Sequence, residues 1–103
     1  MEPKIVLGRI LQRLVDQGYA QVEGYARFGL IELKAHALIV SREHGLNTRI
    51  PFQRMIAAIT VYQAEADLYD KNPTALRPFG FMHITSPLFA LLHLLPKEVY
   101  GHS

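Results

Sequence analysis

Apolar positions near the start of the chain recur at the spacing of one helix face. Leu7, Ile10, Leu11 and Leu14 fall on one side, and Arg9, Gln12, Arg13 and Asp16 on the other. Pro3 stands near the start of this run and Gly18 just past its end, the asymmetry that brackets a helix. The pattern predicts a first helix between them.

The stretch 22–44 carries two competing patterns. Ile31, Leu33, Ala35, Ala37 and Ile39 alternate with Glu32, Lys34 and His36, which is the period of a strand. Against this, alanine and leucine are abundant and favour helix. Glu23 precedes Arg27 by four residues, the better order for a helical ion pair. Gly45 is placed as a left-handed cap, with Leu46 for the contact that often follows one. Wound as a helix, the stretch has two apolar faces, one through Val22, Ala26, Leu30, Leu33, Ala37 and Val40, the other through Phe28, Ile31, Ala35, Leu38 and Ile39. This reading predicts a long second helix sandwiched between neighbours, weakened at Gly24 and Gly29 by roughly 1 kcal/mol each relative to alanine.

A third helix is predicted from Pro51 to about Asp70, with Phe52, Met55, Ile56, Ile59, Tyr62, Ala66 and Tyr69 on one face. Asn72-Pro73 ends it. Residues 73–85 read as an ordered loop packed by Phe79, Phe81 and Met82. Ser86 and Pro87 then open Leu88-Phe89-Ala90-Leu91-Leu92-His93-Leu94-Leu95, stopped by Pro96, with only His93 polar. A helix without a polar face must be covered on all sides. The tail is 97–103. The expected fold is all-α: one domain over residues 1–103, a small four-helix bundle with a long central second helix.

Composition sharpens the question of what covers the fourth helix. Half of the 103 residues are apolar and 19% are charged, below the roughly 25% usual in soluble domains. Apolar surface in excess of what one small chain covers predicts a symmetric homodimer through helices two and four. There is no cysteine, which removes disulfides, thiolate metal sites and thiol nucleophiles and fits a reducing cytoplasm. Arg9 and Arg13 interrupt the first apolar segment, so it does not read as a signal peptide, and no run approaches the ~20 apolar residues of a membrane span. A soluble cytoplasmic protein is expected.

Candidate chemistry is sparse. Glu32 and His36, four apart, would share a helix face as half of a metal or acid–base pair, but no third and fourth ligands are evident, so a polar strip is the preferred reading. His44 is placed to cap a helix C-terminus. His93 reads as a hydrogen-bonded core or interface histidine in preference to a pH switch, and His83 and His102 carry no pattern. Glu65, Asp67 and Asp70 read as a solvated helix end, and Tyr62 and Tyr69 as core. Phosphate loops, nucleophile elbows and paired zinc histidines are missing from the sequence, so neither an enzyme nor a cofactor is expected.

Two functional readings remain. The first is a non-enzymatic regulator of the inhibitor or anti-activator type. It would bind another protein, such as a transcription regulator, through Leu88, Phe89, Leu91, Leu92 and Leu95, with Phe79 and Phe81 as anchors. The second is a helix-turn-helix regulator contacting DNA through Arg42, Arg49, Gln53 and Arg54. It is weakened by the long connection 45–50, a formal charge of only +2, and a candidate recognition helix that turns apolar and then acidic.

Overall fold

The computed structural model describes residues 1–101; His102 and Ser103 lie outside the described residues. Helix α1 spans Pro3–Gln17, and buries Val6, Leu7, Ile10 and Leu14. Gly18 ends it in the left-handed conformation at φ 87°, with its N–H bonded back to Leu14, as the sequence predicts.

The all-α expectation fails in the next segment. Residues 19–51 form a four-stranded antiparallel sheet, β1 (Tyr19–Ala20), β2 (Phe28–Leu33), β3 (Ala37–Val40) and β4 (Thr48–Pro51), in the spatial order β1-β2-β3-β4. The molecule is α+β, and there is no long second helix. The alternation along 31–39 carried the signal, and the alanine and leucine content that favoured helix was outweighed by cross-strand packing. The two glycines mark the cause. Gly24 takes φ 88° in a turn closed by the Tyr25 N–H on the Val22 carbonyl. Gly29 approaches β3 so closely that a Cβ would sit 2.9 Å from Ser41 Oγ, and its N–H donates to that oxygen. Neither is a weakened helical position; one is a turn and the other a close strand contact.

The register fixes which side chains face inward. Leu30 pairs with Val40, then a bulge shifts the ladder so that Glu32 faces Ile39 and Leu33 faces Leu38. On the other side Ile50 pairs with Leu38 and Arg49 with Ile39. Phe28, Leu38, Val40 and Ile50 are buried among residues of the helices, while Glu32 and Arg49 are exposed on either side of half-buried Ile39.

Helix α2 spans Phe52–Ala64, shorter than predicted, because the chain breaks at Glu65 into a 3-10 helix over Ala66–Asp70. The predicted loop contains a second 3-10 helix, Pro73–Phe79. Helix α3 spans Thr85–Leu92, and a last 3-10 turn, Lys97–Tyr100, lies in the expected tail and buries Tyr100. At eight residues α3 is only ~12 Å long, short enough to be enclosed by this chain. The core around it draws on α1, β1, α2 and Tyr100, and the Tyr25 ring lies 5.4 Å from that of Phe89. No helix among the described residues is long and apolar enough to cross a membrane.

Candidate interaction surface

The apolar residues proposed to bind a partner divide sharply. Leu88, Phe89, Leu91, Leu92 and Leu95 are all buried within the single chain, as is Phe81. They hold the core and present nothing to a second protein; of the seven, only Phe79 is exposed. The argument for a homodimer through helices two and four goes with them, since one is a hairpin and the other is enclosed.

The arginines proposed for DNA also divide. Arg42 donates from Nε to Thr48 Oγ1 at 2.6 Å and from Nη2 to the His83 carbonyl at 2.7 Å. Arg54, in the first turn of α2, donates from Nη1 to the Gly80 carbonyl at 2.8 Å. Both guanidinium groups are therefore tied to backbone between the second 3-10 helix and α3. Arg49 and Gln53 remain exposed with no side-chain hydrogen bond among the described residues. Helix α2 also follows β4 directly, so no helix precedes it to complete a helix-turn-helix.

These two sets of residues meet in one place. Strand β4 is the last of the sheet, and an uncovered edge invites unwanted pairing. Residues 79–83 form a strap fastened at one end by Arg54 from α2 and at the other by Arg42, which also bonds Thr48 and so links the strap to β4. Phe81 is the strap's buried anchor. On either side of that anchor Phe79 and Met82 are exposed, Met82 by 62%. Leu46, in the loop leading into β4, is 88% exposed, where a capping contact had been expected. His83 is the one non-glycine residue with positive φ among the described residues, at 75°. A left-handed histidine costs roughly 1–2 kcal/mol, so the bond from Arg42 holds its carbonyl in a strained backbone.

The remaining candidates fall away from this surface. Glu32 lies on β2 and His36 in the β2–β3 turn, both exposed, so the helical spacing that paired them does not exist. Among the described residues no three His, Asp or Glu groups are placed to hold a metal together. His44 is in the β3–β4 loop and caps no helix. Asp67 pairs with Lys71 at 3.3 Å and Asp70 with Lys97, so two of the three late acidic residues have cationic partners.

His93 belongs to an aromatic cluster beneath the C-terminal segment. Its ring stacks 3.9 Å from Tyr69 and 4.1 Å from Phe89. Nδ1 lies 2.7 Å from the Phe89 carbonyl and Nε2 2.8 Å from the Tyr69 carbonyl. A neutral ring donates to one of these and an imidazolium to both. Burial holds the Tyr62 phenol well above its ordinary range, with the Tyr69 charge adding to the effect. The Tyr100 phenol is raised by burial first, then by Tyr62 and Tyr69. Burial also raises Tyr69, supported by the negative charges of Glu98 and Asp70. Tyr69 donates to the Leu95 carbonyl and Tyr100 to that of Leu92, but the buried Tyr62 hydroxyl has no partner among the described residues. The Tyr100 bond ties the last 3-10 turn to the end of α3, and the Tyr69 bond ties Leu95 to the 3-10 helix over Ala66–Asp70.

Sequence reasoning missed Leu46, Met82 and His83 as surface residues. Met82 had been assigned to loop packing and Leu46 to a helix cap. A left-handed conformation at a histidine leaves no trace in composition or period. No protein family, curated protein or solved structure matches this chain.

Proposed function

We propose that this chain is a non-enzymatic regulatory protein of the cytoplasm that binds another protein through the surface around the β4 edge. The observation that carries this reading is the strap itself. Exposed Phe79 and Met82 belong to backbone that two arginines and a buried phenylalanine hold in place, one residue of it strained, and exposed Leu46 lies in the loop between Arg42 and Thr48, which Arg42 joins to that backbone. Exposed apolar side chains on a preorganised backbone lose little freedom on binding, which is what a protein-recognition surface requires. Exposed Arg49 and Gln53 give its rim polarity and a positive charge. The contacts proposed are therefore Leu46, Phe79 and Met82, in place of the buried leucines. The lack of cysteine supports the cytoplasmic assignment.

The test uses nuclease-treated extract with four matched baits: wild type, Leu46→Asp, Met82→Asp and the control Val15→Asp, which alters an exposed valine on α1. One stoichiometric protein should be retained by wild type and V15D and lost by L46D and M82D, with all four melting alike. Its affinity, measured with purified partner, should depend weakly on salt. Retention by all four baits, or by none, rejects the surface. Loss only in Arg49→Ala, with steep salt dependence and a nucleic-acid partner, moves the function to DNA or RNA.

A further inference from the structure

A second site lies on elements that contribute nothing to the strap. Between α1 and the C-terminal segment is a groove of about 420 Å³, lined by Arg9, Gln12, Arg13, Asp16, Leu95, Pro96 and Val99. That volume falls within the range of small-molecule sites. The lining is divided by chemistry. One wall is the polar side of α1, and the other consists of Leu95, Pro96 and Val99. Arg9 and Arg13 are four residues apart and both exposed, and neither has a hydrogen bond or ion pair among the described residues. Two like charges at that spacing disfavour the helix slightly. The one acid in the groove, Asp16, already accepts a hydrogen bond from Gln12 Nε2 at 2.9 Å, leaving a net positive wall. The apolar wall is held in place: the Leu95 carbonyl accepts from Tyr69, Lys97 pairs with Asp70, and Tyr100 donates to the Leu92 carbonyl.

We propose that this groove binds a small amphiphilic anion, its carboxylate or phosphate head on Arg9 and Arg13 and its apolar body on Pro96 and Val99. Guanidinium groups match both head groups through paired N–H donors. A head group alone gains only exposed, screened contacts, and an apolar body alone leaves the arginines unused. The structure therefore selects a ligand that carries both.

Calorimetry on the full chain with octyl phosphate, octanoate, inorganic phosphate and octanol separates these terms. Octyl phosphate or octanoate should bind, and whichever is tighter identifies the head group. Inorganic phosphate and octanol should each bind at least tenfold more weakly. Arg9→Gln and Arg13→Gln should each weaken the amphiphile about two- to fivefold, the loss of an exposed charge pair. Val99→Asp should do the same from the opposite wall. Arg9 and Arg13 are exposed, so melts of R9Q and R13Q should match wild type; Val99 packs against the core, so V99D should melt lower and the arginine variants decide the test. Absence of binding by both amphiphiles overturns the proposal. So does octanol binding as tightly as the anions, or affinity unchanged in R9Q and R13Q.

Discussion

The strap makes a quantitative prediction about Arg42. Arg42→Ala removes two donors, one to Thr48 Oγ1 and one to the His83 carbonyl. Hydrogen bonds from a charged group contribute about 1.5–3 kcal/mol each, and the lower end applies at this half-exposed site, giving about 3 kcal/mol. A released strap, however, lets His83 leave its left-handed conformation, returning about 1 kcal/mol. The net loss should be about 2 kcal/mol, measured by urea unfolding at constant slope. Arg42→Lys cannot reach both acceptors with one ammonium and should lose about half of that. His83→Gly removes about 1 kcal/mol of strain with the strap in place but adds unfolded-state entropy worth about 0.4–1 kcal/mol, so it should leave stability unchanged or raised by up to about 0.5 kcal/mol. In that background no strain remains to be released, so Arg42→Ala should cost about 3 kcal/mol, a coupling of about 1 kcal/mol. Hydrogen exchange of the 80–83 amides should rise in R42A before exchange in α1 or α2 does. An R42A variant within 0.5 kcal/mol of wild type and with unchanged strap exchange would refute the reasoning, because the arginine would then not be holding the strap.

Two further predictions concern the tyrosines under the C-terminal segment. Tyr62→Phe removes the buried hydroxyl that has no partner among the described residues and should be neutral or stabilising by up to about 1 kcal/mol, whereas Tyr100→Phe loses its bond to Leu92 and should cost about 1 kcal/mol; equal effects in paired unfolding curves would contradict the assignment. Tyr62, Tyr69 and Tyr100 hold their protons more tightly folded than unfolded, so their contribution is intact below about pH 10 and is lost as pH rises through that point toward their folded values. Tyrosinate absorbance from these three should therefore appear together with loss of helical circular dichroism, and their ionisation in a still-folded protein would count against the burial.

Legibility in the sequence followed the number of independent signals at each element. At α1 the apolar period, Pro3 and Gly18 agree, and the helix ends within a residue of where they place it. In α2 the apolar face is right: Met55, Ile59 and Tyr62 are buried. Its end is misplaced: Ala66 is buried as the predicted face requires, but Leu68, about 200° away on a continued α-helix, is buried as well, which the break at Glu65 into a 3-10 helix allows. In 22–44 the signals conflicted. Propensity, the Glu23–Arg27 spacing and a cap-like Gly45 favour helix, while the alternation favours strands and the two interior glycines only weaken the helix. The glycines should have decided it, since Gly24 and Gly29 would each weaken a helix, whereas a turn and a close strand contact use the missing Cβ.

The misplaced binding surface has a different cause. The run 88–95 shows that its side chains must leave water, and that inference held: Leu88, Leu91 and Leu92 are fully buried. What covers them depends on the shape of everything else. A bundle of four helices would have left that run at the surface, whereas a sheet with three helices encloses it, so the error in 22–44 propagated to the site. Hydrophobic pattern reports the need for cover and carries no information on whether the cover is intramolecular. In the proposed surface Leu46 and Met82 are isolated apolar positions in loops, and isolated exposed apolar residues are ordinary, Ile5, Val15 and Ile31 being exposed as well. They become significant only when the fold sets Met82 in a strap with a strained histidine and two committed arginines, and joins the loop of Leu46 to it through Arg42. That conjunction arises from hydrogen bonds spanning 41 and 26 residues of chain, a separation at which no local pattern operates.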